Sequence, residues 1–210
     1  MKPGSIVVFN WKKGGFFSTA QRMFTHYWIP GKSPRHYANS YATHTAIVSH
    51  DIEGISSYFG AEMSTAHQPL DVFLLDPEVE YIVFEPTGFV EKEISLVLQR
   101  TYKTYAARTY AFSQVLWFVW RWLVESLTRI DMRNGRNPFI KNAICSEVIW
   151  KALAYYGETA NGNGIQTVIN AWRTDSTHAG DIFVVLKMLP KQFTVTEKRW
   201  TTSLPPELVV

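Results

Sequence analysis

Cys145 is the only cysteine of this 210-residue chain. It stands in Ile144-Cys145-Ser146-Glu147-Val148-Ile149-Trp150, where the pattern predicts the start of a helix. Far upstream, His44 lies in Thr43-His44-Thr45-Ala46-Ile47-Val48-Ser49, a run that reads as a strand. A thiol attacks a carbonyl only as its thiolate, and both a helix N-terminus and a neighbouring imidazole favour that form. Unpaired amides of the first helical turn could also hold an oxyanion, each donor contributing on the order of 3 kcal/mol. A plainer reading competes, because a free cysteine is among the most buried residue types and often serves as a small hydrophobe. His44 shifts the balance toward chemistry. In an extended segment His44, Ala46 and Val48 share one face, which puts the imidazole on a rigid element beside small residues that leave room for a helix end.

A third polar group should hold the imidazole through its second nitrogen. Glu62 is the leading candidate: a hairpin register that sets it opposite His44 projects both side chains to one face. A slip of one residue would bring Ala61 opposite instead and turn Glu62 away, leaving the role to Thr65 or a backbone carbonyl. The alternative for Glu62 is a solvated carboxylate at a strand end. Glu147 falls inside the first helical turn, where its charge favours the helix but opposes thiolate formation, so it reads as capping and structural. The other histidines, His26, His36, His50, His67 and His178, fall mainly in loops or at element ends. No two have the i, i+4 spacing of a helical metal pair, so neither a metal site nor a cofactor is expected.

The elements that must position these residues follow from periodicity. Ser5–Phe9, Thr43–Ser49 and Ile55–Phe59 read as strands, the last two forming a hairpin across Asp51-Ile52-Glu53-Gly54, and Glu80–Glu85 is a further strand. Residues 10–42, rich in Gly, Pro, Ser and aromatics, predict a long loop with a short helix around Ser18 to Phe24. A helical segment spans 91–130: Leu96, Leu98, Tyr102, Tyr105 and Ala106 recur at helical spacing, and Ser113 to Arg129 forms a second helix whose aromatics imply burial on most sides. The cysteine helix should run from Cys145 to Tyr156 with Val148, Ile149, Ala152, Leu153 and Tyr156 as its apolar stripe and Gly157 as its stop. Gly180–Leu186 and Phe193–Trp200 read as closing strands.

Composition is consistent with one domain covering residues 1–210. With 46% hydrophobic and 15% aromatic residues the chain can bury a substantial core. Its net charge of +3 is scattered, and no recognition motif accompanies it, so specific nucleic-acid binding is not expected. A lone cysteine makes no intrachain disulfide. The most apolar stretch, Val115–Val124, contains Arg121 and is too short to cross a bilayer, and the opening residues read as a strand rather than a signal peptide. Synthesis in the cytoplasm is the expectation, with carriage by a phage particle or through a holin as the route to a cell wall.

Four ordered blocks resemble a known family. Pro3-Gly4-Ser5-Ile6-Val7-Val8-Phe9, Thr43–Val48, Ala107-Arg108-Thr109-Tyr110-Ala111-Phe112 and Ile144–Ile149 are similar to those of the circularly permuted, NlpC-like papain-fold cysteine hydrolases. That group includes lecithin:retinol acyltransferase-like enzymes and bacterial permuted amidases. The histidine strand precedes the cysteine helix, the reverse of papain's order. The resemblance spans about residues 3 to 157 and implies an α+β fold, a small antiparallel sheet or barrel packed against the cysteine-bearing helix and further helices. It departs from the family pattern at Ser5, where an aspartate is usual, and at Ala107, where a glycine is common. The third catalytic residue is not marked by the pattern.

By this likeness Cys145 is the nucleophile of a thiol amidase or peptidase and His44 its general base, working through an acyl-enzyme. The expected substrate is a peptide or isopeptide bond, with bacterial cell-wall peptides the nearest class. An acyl-lipid amidase, esterase or acyltransferase is the alternative, favoured by Trp11, Phe16, Phe17, Phe24, Tyr27, Trp28 and the Trp117–Trp122 stretch if these line an apolar pocket rather than pack the core. A sterile papain-like binding module is the other. Oligomeric state is left open.

Overall fold

The structure is a computed structural model that describes residues 1–11, 42–61, 65–106, 108, 120, 123–124, 127–128, 145–171 and 179–200. Among these residues the fold is α+β. The strands are β1 (Ile6–Trp11), β2 (His44–Val48), β3 (Ser57–Ala61), β4 (Thr65–Pro69), β5 (Val79–Pro86) and β6 (Phe193–Arg199). The helices are α1 (Asp71–Leu74), α2 (Glu91–Tyr105), α3 (Cys145–Gly157), α4 (Ile165–Asn170) and α5 (Ala179–Lys187).

All strand pairs are antiparallel, in the order β4-β3-β2-β1-β5-β6, an open sheet rather than a barrel. The central strand β1 pairs Ile6 with Ile47 and Phe9 with His44 on one side, and Ile6 with Phe84 on the other. Alternate residues of β1 serve different cores. Ile6 and Val8 join Ile47, Ile82 and Phe84 beneath α2, α3 and α5, whereas Val7 and Phe9 join Ala46, Val48, Tyr58 and Val83 beneath Leu70 and Phe73. This two-sided burial explains why Ile6–Phe9 is continuously apolar instead of alternating.

The hairpin between β2 and β3 differs from the sequence expectation. Ile52 and Ile55 exchange backbone hydrogen bonds of 3.0 and 2.9 Å around Glu53 and Gly54, both with positive φ (53° and 79°). That is the signature of a two-residue primed turn, whose twist suits a hairpin. Strand β3 proper therefore starts at Ser57, later than Ile55, and runs on to Ala61. Strand β1 likewise extends to Trp11, shortening the loop expected from residue 10; residues 12–41 lie outside the described residues.

The largest correction concerns Gly180–Leu186, expected as a strand and found within α5. Ala179 to Phe183, Val185 and Leu186 are all buried. A helix buried almost all round shows no polar stripe, so its short apolar run cannot be told from a strand by period. The sheet position beside β5 goes instead to β6, which matches its expected span. β4, α1 and α4 were not anticipated. The helix expected over 113–129 lies mostly outside the described residues. At the described positions Trp120, Leu123 and Leu127, where burial was expected, the side chains are exposed because spacings of three and seven residues put them on one outward face.

Candidate active site

α3 sets the cysteine. The expected stripe holds: Val148, Ile149, Ala152, Leu153 and Tyr156 are all fully buried. At the far end of the helix the Tyr156 hydroxyl donates to the Gly4 carbonyl at 3.1 Å. Gly4 has φ +82°, and a Cβ there would strike the Tyr156 hydroxyl and Ile94, so this position needs glycine for both conformation and space. With its C-terminal turn tied to the start of β1 and its stripe set on Ile47 and Phe59, the helix brings Cys145 to the start of β2.

His44 is the first residue of β2 and is 6% exposed. Its ring centroid lies 5.8 Å from that of Phe9 and 6.1 Å from that of Phe73, the latter at an interplanar angle of 27°. His44 does share a face with Ala46 and Val48, but that face is not the one α3 packs on. The small residues make room for Phe73 of α1, while α3 covers the face of Thr45 and Ile47. Strand alternation reveals which residues share a face without saying which partner covers it. The imidazole still reaches the sulfur, because His44 begins the strand and Cys145 begins the helix.

The Cys145 sulfur is held by His44 and Thr45. Burial pushes the thiol pKa up, but the electrostatic pull of His44, a hydrogen bond with its ring and the Thr45 amide outweigh it, so the thiol lies below its ordinary value. The pairing of β2 with β3 covers Ile47 with Phe59 and Val48 with Tyr58 and stops there. Ahead of that point the Thr45 amide turns to the sulfur instead of to a strand. Sequence reasoning missed Thr45, although its position next to His44 on an alternating strand was the signal that it faces the helix.

The two β2–β3 pairs fall in the register that the expected His44–Glu62 pairing requires, but the pairing ends at Ile47 and does not extend to His44. Glu62 itself lies outside the described residues. Thr65, the substitute weighed for that role, is committed elsewhere: its hydroxyl donates to the Tyr105 and Arg108 carbonyls and accepts from the Arg108 amide at 3.0 Å, tying β4 to the end of α2. Glu147 accepts a hydrogen bond from the Tyr105 hydroxyl at 3.3 Å, joining α3 to α2 in the structural role expected of it. Of the remaining described histidines, His50 contacts Ser95 and His67 packs against Phe59 and Tyr102. Burial lowers the His67 pKa. Among the described residues no three His, Cys, Asp or Glu side chains converge as a ligand set, and no helix is long and apolar enough to cross a membrane.

A thiol depressed by an imidazole, at a helix N-terminus and beside a backbone amide, can add to a carbonyl and pass its proton to nitrogen. No family model matches the chain, and no curated protein matches it. Among solved structures, the chain is similar to one described as metalloprotein yiiX from Escherichia coli O157:H7, DUF1105, with 17% identity, a TM-score of 0.47, and coverage of 95% of this chain and 98% of that one.

Proposed function

We propose that the protein is a cysteine hydrolase of the permuted papain-like, NlpC-like kind, cleaving amide bonds of peptides or isopeptides through an acyl-enzyme. The observation that carries this reading is the meeting of the Cys145 sulfur with the His44 imidazole, which lowers the thiol pKa despite complete burial. Block order along the chain supports it further, with the histidine strand ahead of the cysteine helix.

In the first half-reaction His44 takes the thiol proton as sulfur bonds to the carbonyl carbon. The C–N bond then breaks, and the imidazolium returns its proton to the leaving amine. In the second, His44 takes a proton from water, hydroxide adds to the thioester, and the C–S bond breaks to give a carboxylic acid and the restored thiol. Amides at the start of α3 would receive the oxyanion of both tetrahedral intermediates. Glu62 is the carboxylate proposed for the second imidazole nitrogen.

The test is hydrolysis of a panel of peptide and cell-wall stem amides by the full chain. Cys145→Ala is expected to abolish turnover with the fold retained, and His44→Ala to lower it by about 10²- to 10⁴-fold, the range of general acid–base catalysis. Activity that survives Cys145→Ala would remove the proposal. The exposed Trp120, Leu123 and Leu127 favour a second reading, action on acyl lipids. Turnover of acyl-amide or ester lipids in vesicles, with no turnover of peptides, would select it.

A further inference from the structure

We propose that Arg199 is a positioning residue for His44, acting through α1 and the ring of Phe73. The inference rests on the Cys145–His44 reading above and names what holds its base in place.

Arg199 closes the edge strand β6, where it pairs with Tyr81. Its Nε donates to the Val79 carbonyl at 2.9 Å, Nη1 to the Leu74 carbonyl at 2.9 Å and Nη2 to the Phe73 carbonyl at 3.3 Å, and Nη2 also bonds the Asp76 carbonyl. Its guanidinium carbon lies 5.0 Å from the centre of the Tyr81 ring. One planar fork therefore gathers main-chain acceptors from the end of α1 and from the turn that leads into β5. This is the work a guanidinium does and an ammonium cannot, since only the former presents several donors in fixed directions. A cation at the carbonyl end of a helix is also favourably placed.

α1 has four residues, too few to be stable alone. What it presents to the core is Phe73, 1% exposed, with ring centroids 4.6 Å from Phe9, 4.8 Å from Tyr58 and 6.1 Å from His44. Phe9 and Phe73 together flank the imidazole. Phe73 thus borders the space into which the imidazole would turn, and the backbone that carries Phe73 is the backbone whose carbonyls Arg199 holds. Nothing in the sequence spacing links positions 199 and 44; the link exists only through the sheet order, in which β6 and β2 lie on opposite sides of β1 and β5.

The experiment is the pH profile of Cys145 alkylation by iodoacetamide in the full chain, for wild type, Arg199→Met, Arg199→Lys, Phe73→Leu and His44→Ala, with folding checked by circular dichroism. His44→Ala sets the full shift. Arg199→Met and Phe73→Leu are expected to move half-maximal reactivity toward the free-thiol value of about 8.5, and to slow alkylation at pH 7 by roughly threefold to tenfold, tenfold corresponding to one pKa unit. Arg199→Lys, which keeps the cation and loses the fork, should fall between. Folded Arg199→Met and Phe73→Leu proteins with the wild-type profile, alongside a shifted His44→Ala, would overturn the positioning role and leave the dyad standing. A wild-type profile in His44→Ala would remove the dyad and this inference with it. Should Arg199→Met fail to fold, Arg199→Lys decides, a wild-type profile in it overturning the positioning role.

Discussion

Cys145 and His44 approach the same spot from opposite faces of the sheet, and the two faces are built differently. Cys145 rides on a helix of three and a half turns whose buried side chains belong to the larger core, with Ile6, Val8, Ile47, Phe84, Ile182 and Leu186. His44 stands on the smaller core, a cage of Phe9, Tyr58, Phe73 and short aliphatics. Sulfur is thus located by bulk burial, whereas the imidazole is located by a few rings and by hydrogen bonds to the carbonyls behind them. Damage on the first side should appear as lost stability, and damage on the second as altered chemistry in a protein that still folds.

The largest expected departure is Leu153→Ala. Leu153 is fully buried in the helix-side core, and its truncation should cost about 2–5 kcal/mol, as lost transfer energy plus a cavity. Denaturant midpoints measure this, and the thiol pH profile of the remaining folded fraction should stay that of the wild type. A displaced profile would mean that the two faces are not separable. Tyr156→Phe comes next. It leaves the Gly4 carbonyl without its 3.1 Å donor, at a cost of about 1–3 kcal/mol for an unmatched buried group, again with little change in reactivity.

The third effect is a dependence on pH. Because the folded thiol lies below its unfolded value, between the two values the unfolded chain binds more protons, and stability rises with pH across that window. The contribution is complete above the unfolded pKa of about 8.5 and is lost as pH falls through the folded one. Urea unfolding of wild type against Cys145→Ala from pH 5 to 9 should show their difference in stability growing toward alkaline pH. A difference that does not vary would break the coupling between the two faces.

What could be read from the residues alone divides along the same line. The cysteine helix was legible because one stripe of it is apolar and the other side carries Glu147 and Lys151. β1, β2 and β5 were legible as runs rich in apolar residues, and β6 from Phe193-Thr194-Val195-Thr196, residue types that favour strands. β4 was not, because Thr65-Ala66-His67-Gln68-Pro69 is a polar edge strand that buries little. α5 was misread because burial on nearly all sides erases its period. The juxtaposition of Cys145 and His44 was legible from residue type and element. The face on which they meet was not, since the decisive contacts, Thr45 with sulfur and Phe73 with the imidazole, depend on which element covers each side of a strand.

The parting of β2 from β3 ahead of Ile47 and Phe59 has a spectroscopic consequence. The thiol stands where a partner strand would otherwise offer a carbonyl, so the Thr45 amide proton is shielded by sulfur rather than by a peptide oxygen. Its protection against deuterium therefore follows the charge on Cys145, strong for the anion and weak once sulfur is protonated or capped. A single main-chain resonance thus reads out the charge state of the Cys145 side chain.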